Sequence, residues 1–315
     1  MIEFRHVSYR YPFNKDWAVK DLNFSVQPGE LVLVTGVSGC GKTTLMRLAN
    51  GLCPHYYAGE RQGEVVIEGV DTVNQTVSDI SERIGTLFQD PEDQFFALTV
   101  KDEMAFTLQI TGRSEEDIQR VVNEQAERFG ITHLLNNPIS ALSEGQKQRV
   151  ALAEIFVNRP RALILDEPSA NLDPEATEQL ARDLGVLKAR GFAILVVDHR
   201  LHWLSEVADR VLVMKAGEIC EEGPFSLLED AKLRQRYGLR EARVADVRSS
   251  LQSAHEAPTV LSVCDLSFDY QNSHHSGTLR KLERLFKRTR PHALNKQLLD
   301  HIAFELKSGV TALIG

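Results

Sequence analysis

Leu31-Val32-Leu33-Val34-Thr35-Gly36-Val37-Ser38-Gly39-Cys40-Gly41-Lys42-Thr43 decides the fold. It opens with an uninterrupted β-type run, as a strand buried on both faces requires. From Gly36 to Thr43 it fits the pattern GxxxxGK[ST]. A helical stretch from Thr43 to Asn50 follows, closed by Gly51. Glycines let the backbone curl until several N–H groups converge on one phosphate. The helix behind them presents its positive end to the same anion. Lys42 is then expected to place a point charge at the β- and γ-phosphates, and the Thr43 hydroxyl to reach Mg²⁺. A glycine turn that merely carries a surface lysine has no reason to sit between a buried strand and a helix.

Downstream, Ala162-Leu163-Ile164-Leu165 is another buried strand, and it ends in Asp166-Glu167. Such an ending is common by itself. Behind a phosphate loop it suggests a division of labour, with Asp166 on the metal and Glu167 as the general base that polarises water. Ala193 to Val197 is a third buried strand, ending in Asp198-His199. Strand ends in a parallel sheet border the ligand crevice, so His199 is a candidate for the γ-phosphate. Looser strands are expected at Ile2 to Tyr11 and at Leu22 to Val26, the latter ending in the turn pair Pro28-Gly29. A helix is expected over residues 114 to 129, with Ser114 and Asp117 as its capping box and Gly130 as its stop. Strands alternating with helices imply a mostly parallel sheet covered on both sides.

Composition bounds the function. The 315 residues carry 43% hydrophobic and 25% charged side chains and a net charge of -8. That is ordinary for a globular protein, and the acidic balance argues against a general nucleic-acid coat. No apolar run approaches the ~20 residues of a membrane span, and the start of the chain does not read as a signal peptide. The expected place is therefore the cytoplasm. The four cysteines (Cys40, Cys53, Cys220, Cys264) form no CxxC pair and read as free thiols. Cys40 lies inside the phosphate loop, where a helix N-terminus favours a reactive thiolate or the position simply takes a small residue.

The chain repeats itself. Leu261 to Tyr270 mirrors Ile2 to Tyr11, and Ile302 to Gly309 mirrors Leu22 to Gly29. The expected organisation is one domain over 1–235, with a helical subdomain at about 92–150. A linker over 236–258 and the beginning of a second domain over 259–315 follow. Gly315 aligns with Gly36, so the second copy as it stands holds no phosphate loop and is expected to bind no nucleotide. The insertion 271–297 carries Arg280, Lys281, Arg284, Lys287, Arg288, Arg290 and Lys296 against Glu283 alone. It reads either as a solvated variable insertion or as a basic amphipathic helix for an anionic membrane surface.

Together these motifs resemble the ATP-binding-cassette (ABC) ATPases. Leu142-Ser143-Glu144-Gly145-Gln146 is similar to the family signature LSGGQ, with Glu144 in place of the first glycine. Gln89, in Leu87-Phe88-Gln89-Asp90-Pro91, resembles the Q-loop glutamine, and Ser169-Ala170-Asn171-Leu172-Asp173 the D-loop. The resemblance covers nearly all of residues 1 to 235. It implies an α/β P-loop NTPase fold of ABC type, with an antiparallel β subdomain and an α-helical subdomain. It also implies ATP and Mg²⁺ as cofactors. ATP would be held by Gly36, Ser38, Gly39, Cys40, Gly41, Lys42, Thr43 and Thr44, with Tyr11 stacked on the adenine or, alternatively, a core aromatic. Mg²⁺ would be held by Thr43, Gln89 and Asp166, and catalysis carried by Glu167, His199 and Gln89. Ser143, Gly145, Gln146 and Asp173 would meet nucleotide across a head-to-tail pair of cassettes, so a second ABC domain from another chain is an expected partner.

Asn50 to Tyr56 and Phe88 to Phe95 are further similar to the ATPases of energy-coupling-factor (ECF) importers, which take up vitamins and transition-metal ions. This implies integral membrane transporter subunits as partners and a peripheral position on the inner face of the cell membrane. Phe95 and Phe96 beside Glu92 and Asp93 suit a basic amphipathic helix of such a partner, or else pack in the core. No nucleic-acid partner is expected. Two alternatives stay open at this point: a soluble ABC-type ATPase acting on ribosomes or nucleic acid, and an ATP-binding fragment without turnover.

Overall fold

A computed structural model describes residues 1–243, 259–268 and 299–307. The linker from 244 onward, the basic insertion and the stretch up to Gly315 fall outside the described residues. The chain divides into two compact units, Met1–Val244 and Ala245–Gly315.

The first unit begins with β1 (Ile2–Arg10), β2 (Val19–Val26), β3 (Leu31–Thr35), α1 (Lys42–Ala49), a single irregular turn α2 (Leu52–His55), β4 (Glu60–Ile67), β5 (Val70–Asp71), α3 (Val77–Ser81) and β6 (Ile84–Leu87). Three longer helices follow, α4 (Val100–Ile110), α5 (Glu115–Arg128) and α6 (Glu144–Val157). The unit ends with β7 (Ala162–Asp166), α7 (Pro174–Ala189), β8 (Ala193–Val197), β9 (Arg210–Lys215), β10 (Glu218–Gly223) and α8 (Ala231–Tyr237).

The central sheet has the order β10-β9-β3-β8-β7-β6. All pairs are parallel except β9–β10. Side chains alternate along each strand, so this sheet feeds two cores at once. Val32, Val34, Ile164, Leu195, Val197 and Leu212 face one core, together with α1 and the antiparallel sheet β2-β1-β4-β5. Leu33, Leu163, Leu165, Ile194, Val196 and Val211 face the other, against α6, α7 and the end of the unit, where Tyr237 and Ala242 are buried. A third core joins α4, α5 and α6 as a helical layer. The mostly parallel sheet, the antiparallel layer and the helical layer are those expected from the sequence.

Helix α6 is buried on two sides. Ala151, Leu152, Ile155 and Phe156 enter the core under the sheet, whereas Val150, Ala153 and Val157 enter the helical core. One expectation is corrected at α5. Ser114 does cap it, accepting from Asp117 N at 3.2 Å. The Asp117 carboxylate, however, turns to Arg113 and Arg120 instead of returning to the cap, so the box is only half formed. Two arginine partners outcompete one backbone N–H for the same carboxylate.

In the second unit, β11 (Thr259–Phe268) pairs antiparallel with β12 (Leu299–Lys307). Its bulge reproduces that of β1–β2 with the partners exchanged. In the first ribbon His6 Nδ1 meets Asp21 Oδ1 at 2.8 Å, and Asp21 N donates to Ser8 Oγ at 2.9 Å. In the second, His301 Nδ1 meets Asp265 Oδ1, and His301 N donates to Ser267 Oγ at 3.0 Å. All four His and Asp residues have positive φ.

Candidate functional site

The phosphate loop is shaped by glycines that no other residue replaces. Gly36 (φ 154) has no room for a Cβ, which would lie 2.3 Å from Met214 O and 2.8 Å from Cys40 Sγ. At Gly41 (φ 108) the Cβ would lie 2.7 Å from Ala18 O. Lys42 is buried, and its ammonium donates back to Gly36 O at 2.9 Å and Val37 O at 3.1 Å. Cys40 is buried under the loop, with Sγ 3.8 Å from Lys42 Nζ. It packs against the loop and is not displayed as an accessible thiol. Ser38 and Gly39 lie exposed on the loop. Helix α1 starts at Gly41 with no side-chain cap and no acidic residue in its first turn. Its first N–H groups are therefore left for an outside acceptor, and its positive end is not neutralised from within.

The parallel register places the ends of β3, β8, β7 and β6 side by side. They deliver the three residues expected to act in catalysis to one point. Glu167 Oε2 lies 3.1 Å from His199 Nε2 and 3.4 Å from Gln89 Nε2. Glu167 holds a left-handed backbone (φ 45) and donates its N–H to Val197 O at 2.7 Å. Next to it, burial pushes the Asp166 carboxyl up to about 6; the Glu167 charge adds to this, and Lys42 opposes it. A buried acid that is costly to ionise gains from a nearby cation.

Thr43, Gln89 and Asp166 line one open cleft of about 790 Å³, together with Arg47, Tyr57 and Asn171. A hydroxyl, an amide oxygen and one carboxylate are hard oxygen donors that suit Mg²⁺, which keeps several positions for water and phosphate. Among the described residues no group of three or more His, Cys, Asp and Glu is arranged around a metal, so a purely protein-made cage is absent there. Thr44 is buried, and its Oγ1 lies 3.3 Å from the Tyr11 hydroxyl. Tyr11 is half-buried, edge-on to Tyr9 and Tyr57, and accepts from Arg47 Nη1 at 3.1 Å. It borders a separate shallow groove beside the fully exposed Phe13.

Comparison with known proteins identifies the family. The family model described as ABC transporter matches residues 19–170. A putative ABC transporter ATP-binding protein of Treponema denticola is 36% identical over 87% of this chain and 57% of its own length. The energy-coupling factor transporter ATP-binding protein EcfA of Methanothermobacter thermautotrophicus is 36% identical over 81% of both chains. The chain belongs to the ABC transporter ATP-binding proteins. Among solved structures, CbiO1 of Clostridium perfringens, described as part of the ABC transporter complex CbiONQ, superposes with a TM-score of 0.65. It is 29% identical over 76% of this chain and 94% of that one. The chain spans about half the length of the first curated relatives it matches.

Within this ABC cassette the signature stretch stands apart from the cleft. Ser143 and Gln146 close a full capping box at the start of α6: Ser143 N donates to Gln146 Oε1 at 2.9 Å, and Gln146 N donates to Ser143 Oγ at 3.4 Å. Glu144, the departure from the family pattern, turns to Lys147 at 2.8 Å, and Lys147 also pairs with Glu92. Gly145 has open space around it: an added Cβ would meet only Leu172, at 3.9 Å. Asp173 caps α7, accepting from Ala176 N at 2.7 Å. None of these signature residues, nor Asp173, lines the cleft; Ala170 and Asn171 of the D-loop do.

The segment after Gln89 divides its aromatics. Phe95 packs against two cores, whereas Phe96 is exposed and stacks on Phe106. Leu98, Phe106 and Ile110 are also exposed. Behind them, a cavity of about 210 Å³ is lined by Phe88, Gln94 and Glu154. Burial pushes the Glu154 carboxyl up to about 8, with the charge of Glu103 adding to the effect. Glu103 is fully buried; its Oε2 accepts from Phe96 N and Ala97 N, and its Oε1 has no hydrogen-bond partner among the described residues. Sequence reading missed both acids because each looks like an ordinary charged position on a helix. Their burial follows from the way α4 and α6 close over the segment.

Proposed function

We propose that this cassette binds Mg²⁺-ATP in the cleft and hydrolyses it to drive a membrane importer of the ECF type. The observation that carries the reading is the meeting of Gln89, Glu167 and His199 beside the phosphate loop. Glu167 takes the proton of the attacking water, and His199 holds that carboxylate from one side while facing the γ-phosphate region. Gln89 senses the same point from the loop after β6. Thr43, Gln89 and Asp166 would hold Mg²⁺, which would neutralise phosphate charge when bound. Lys42 releases its two loop carbonyls and turns to the phosphates, while the uncapped end of α1 stabilises the same charge.

The signature stretch lies outside the cleft, so the site is completed by another cassette. Its Ser143 and Gly145 approach the γ-phosphate across a head-to-tail dimer, formed with a second copy or with a different chain. The exposed Phe96, Leu98, Phe106 and Ile110 form the face that a coupling helix of the membrane subunits covers, and in this reading the protein works at the inner face of the membrane. Among the described residues no helix is long and apolar enough to cross a membrane. The EcfA relative and the CbiO1 neighbour support an importer of the ECF type; a vitamin or metal ion as its cargo rests on the sequence resemblance alone.

The test is steady-state ATP hydrolysis at increasing protein concentration. The rate per chain rises as dimers form, and Glu167→Gln lowers it by about 100-fold or more while ATP binding persists. A Glu167→Gln variant that keeps hydrolysing refutes the general base. A rate of zero at every concentration, with ATP bound, favours the reading as a binding fragment.

A further inference from the structure

Glu167 sits in a backbone region that side chains with a Cβ rarely adopt. Such a conformation persists only where its surroundings over-determine it. One fixed point is the bond from Glu167 N to Val197 O. The others come from Arg200. Its Nη1 donates to Ser169 O at 2.9 Å and its Nη2 to Ala170 O at 3.1 Å. A guanidinium fork that grips two consecutive carbonyls fixes the plane of the loop as well as its position.

The backbone of Arg200 is itself anchored. Its N–H donates to Asp198 Oδ1 at 2.8 Å. Asp198 Oδ2 accepts from Ser169 Oγ at 2.7 Å and from Trp203 Nε1 at 3.2 Å. Asp198 and Ser169 are buried, so this ring of bonds is shielded from water. From the opposite side, Gln148 Nε2 of α6 donates to Pro168 O at 3.0 Å. The loop that leaves Glu167 is thus tied to the turn that carries His199.

We propose that Arg200 is a positioning residue for hydrolysis. It straps the loop 168–171 to the His199 turn, sets the Glu167–His199 spacing, and keeps Ala170 and Asn171 on the wall of the cleft. The proposal rests on the hydrolytic reading given above. It acts through Glu167 and His199 and needs no contact with nucleotide. A reacting geometry loosened by about an ångström costs up to ~100-fold in rate.

The test uses the full chain with Arg200→Ala, Arg200→Lys and Glu167→Gln. Arg200→Ala lowers kcat by about 10- to 100-fold while KM for ATP stays within about twofold. Arg200→Lys, which reaches one carbonyl at a time, recovers part of the loss, and added methylguanidinium recovers part of it in Arg200→Ala. A second readout does not depend on turnover. Amide exchange at Ala170 and Leu172 accelerates in Arg200→Ala, and Trp203 emission shifts in a Trp17→Phe background. The proposal is overturned if kcat is unchanged, if ATP affinity falls in step with kcat, or if exchange across 168–172 matches the parent. A parent chain that never hydrolyses ATP defeats the hydrolytic reading instead, while the exchange and emission measurements still decide whether the strap exists.

Discussion

Gly36 and Gly145 are both motif glycines, and the molecule treats them differently. At Gly36 a Cβ would collide with Met214 O and Cys40 Sγ; at Gly145 it would meet only Leu172, at an ordinary contact distance of 3.9 Å. The phosphate loop is thus glycine because its own fold leaves no alternative. The signature stretch is closed on itself by the Ser143–Gln146 box, with Leu142 in the helical core and Glu144 paired with Lys147. In the function proposed above, the group that approaches Gly145 belongs to a second cassette. On the proposed function, the difference separates a half-site built in place from one completed by a partner.

That contrast breaks first at the phosphate loop. Lys42→Ala is expected to weaken Mg²⁺-ATP binding by about 100-fold, since it removes the ammonium held inside the phosphate loop. Equilibrium titration of a folded variant, checked by circular dichroism, measures this. Gly36→Ala is expected to be nearly as severe and to lower thermal stability as well. Gly145→Ala is the sharper test. Its melting temperature and ATP affinity should stay at the parent values, whereas turnover should drop by about tenfold, because only the encounter with another cassette is obstructed. A loss of ATP affinity in Gly145→Ala means the signature serves its own cleft. Ser143→Ala is expected to cost about 1 kcal/mol of stability through the lost cap, read from denaturant midpoints.

The same helix that carries the signature allows a smaller, pH-dependent test. The Glu154 carboxyl is held at about 8, above its unfolded value. The neutral form is therefore the one the fold prefers. The contribution is complete below the unfolded pKa and is lost as pH rises through about 8. Glu154→Gln mimics the neutral acid. It should match the parent near pH 4.5 and gain about 5 °C in melting temperature by pH 8. A gain of equal size at both ends shows that the buried charge is not the cause.

Much of this was legible before any coordinates. The runs Leu31 to Thr35, Ala162 to Leu165 and Ala193 to Val197 announce buried parallel strands, and the spacing of Gly36, Lys42 and Thr43 announces the loop between strand and helix. Gln89, Glu167 and His199 were named from strand ends and family order, and the parallel register explains why residues so far apart in sequence converge. Other features left no local trace. Helix α6 shows no single apolar stripe, because two cores claim opposite faces of it. Glu103 and Glu154 read as solvent charges until α4 and α6 close over them. Arg200 draws no reading from the sequence, since two backbone carbonyls as partners carry no sequence signal. The Asp117 box failed for a related reason: the competing arginines Arg113 and Arg120 were visible, but their geometry was not.

The central claim is that the loop from Gly36 to Thr43, with Gln89, Asp166 and Glu167, grips a magnesium-bound triphosphate. Isothermal calorimetry of ATP into the intact chain, with Mg²⁺ and then with excess chelator, tests it most directly. The account predicts saturable binding at one site per chain that weakens strongly without the metal and is lost in Lys42→Ala. Heats that are absent in the folded protein, or that are the same with and without magnesium, contradict it.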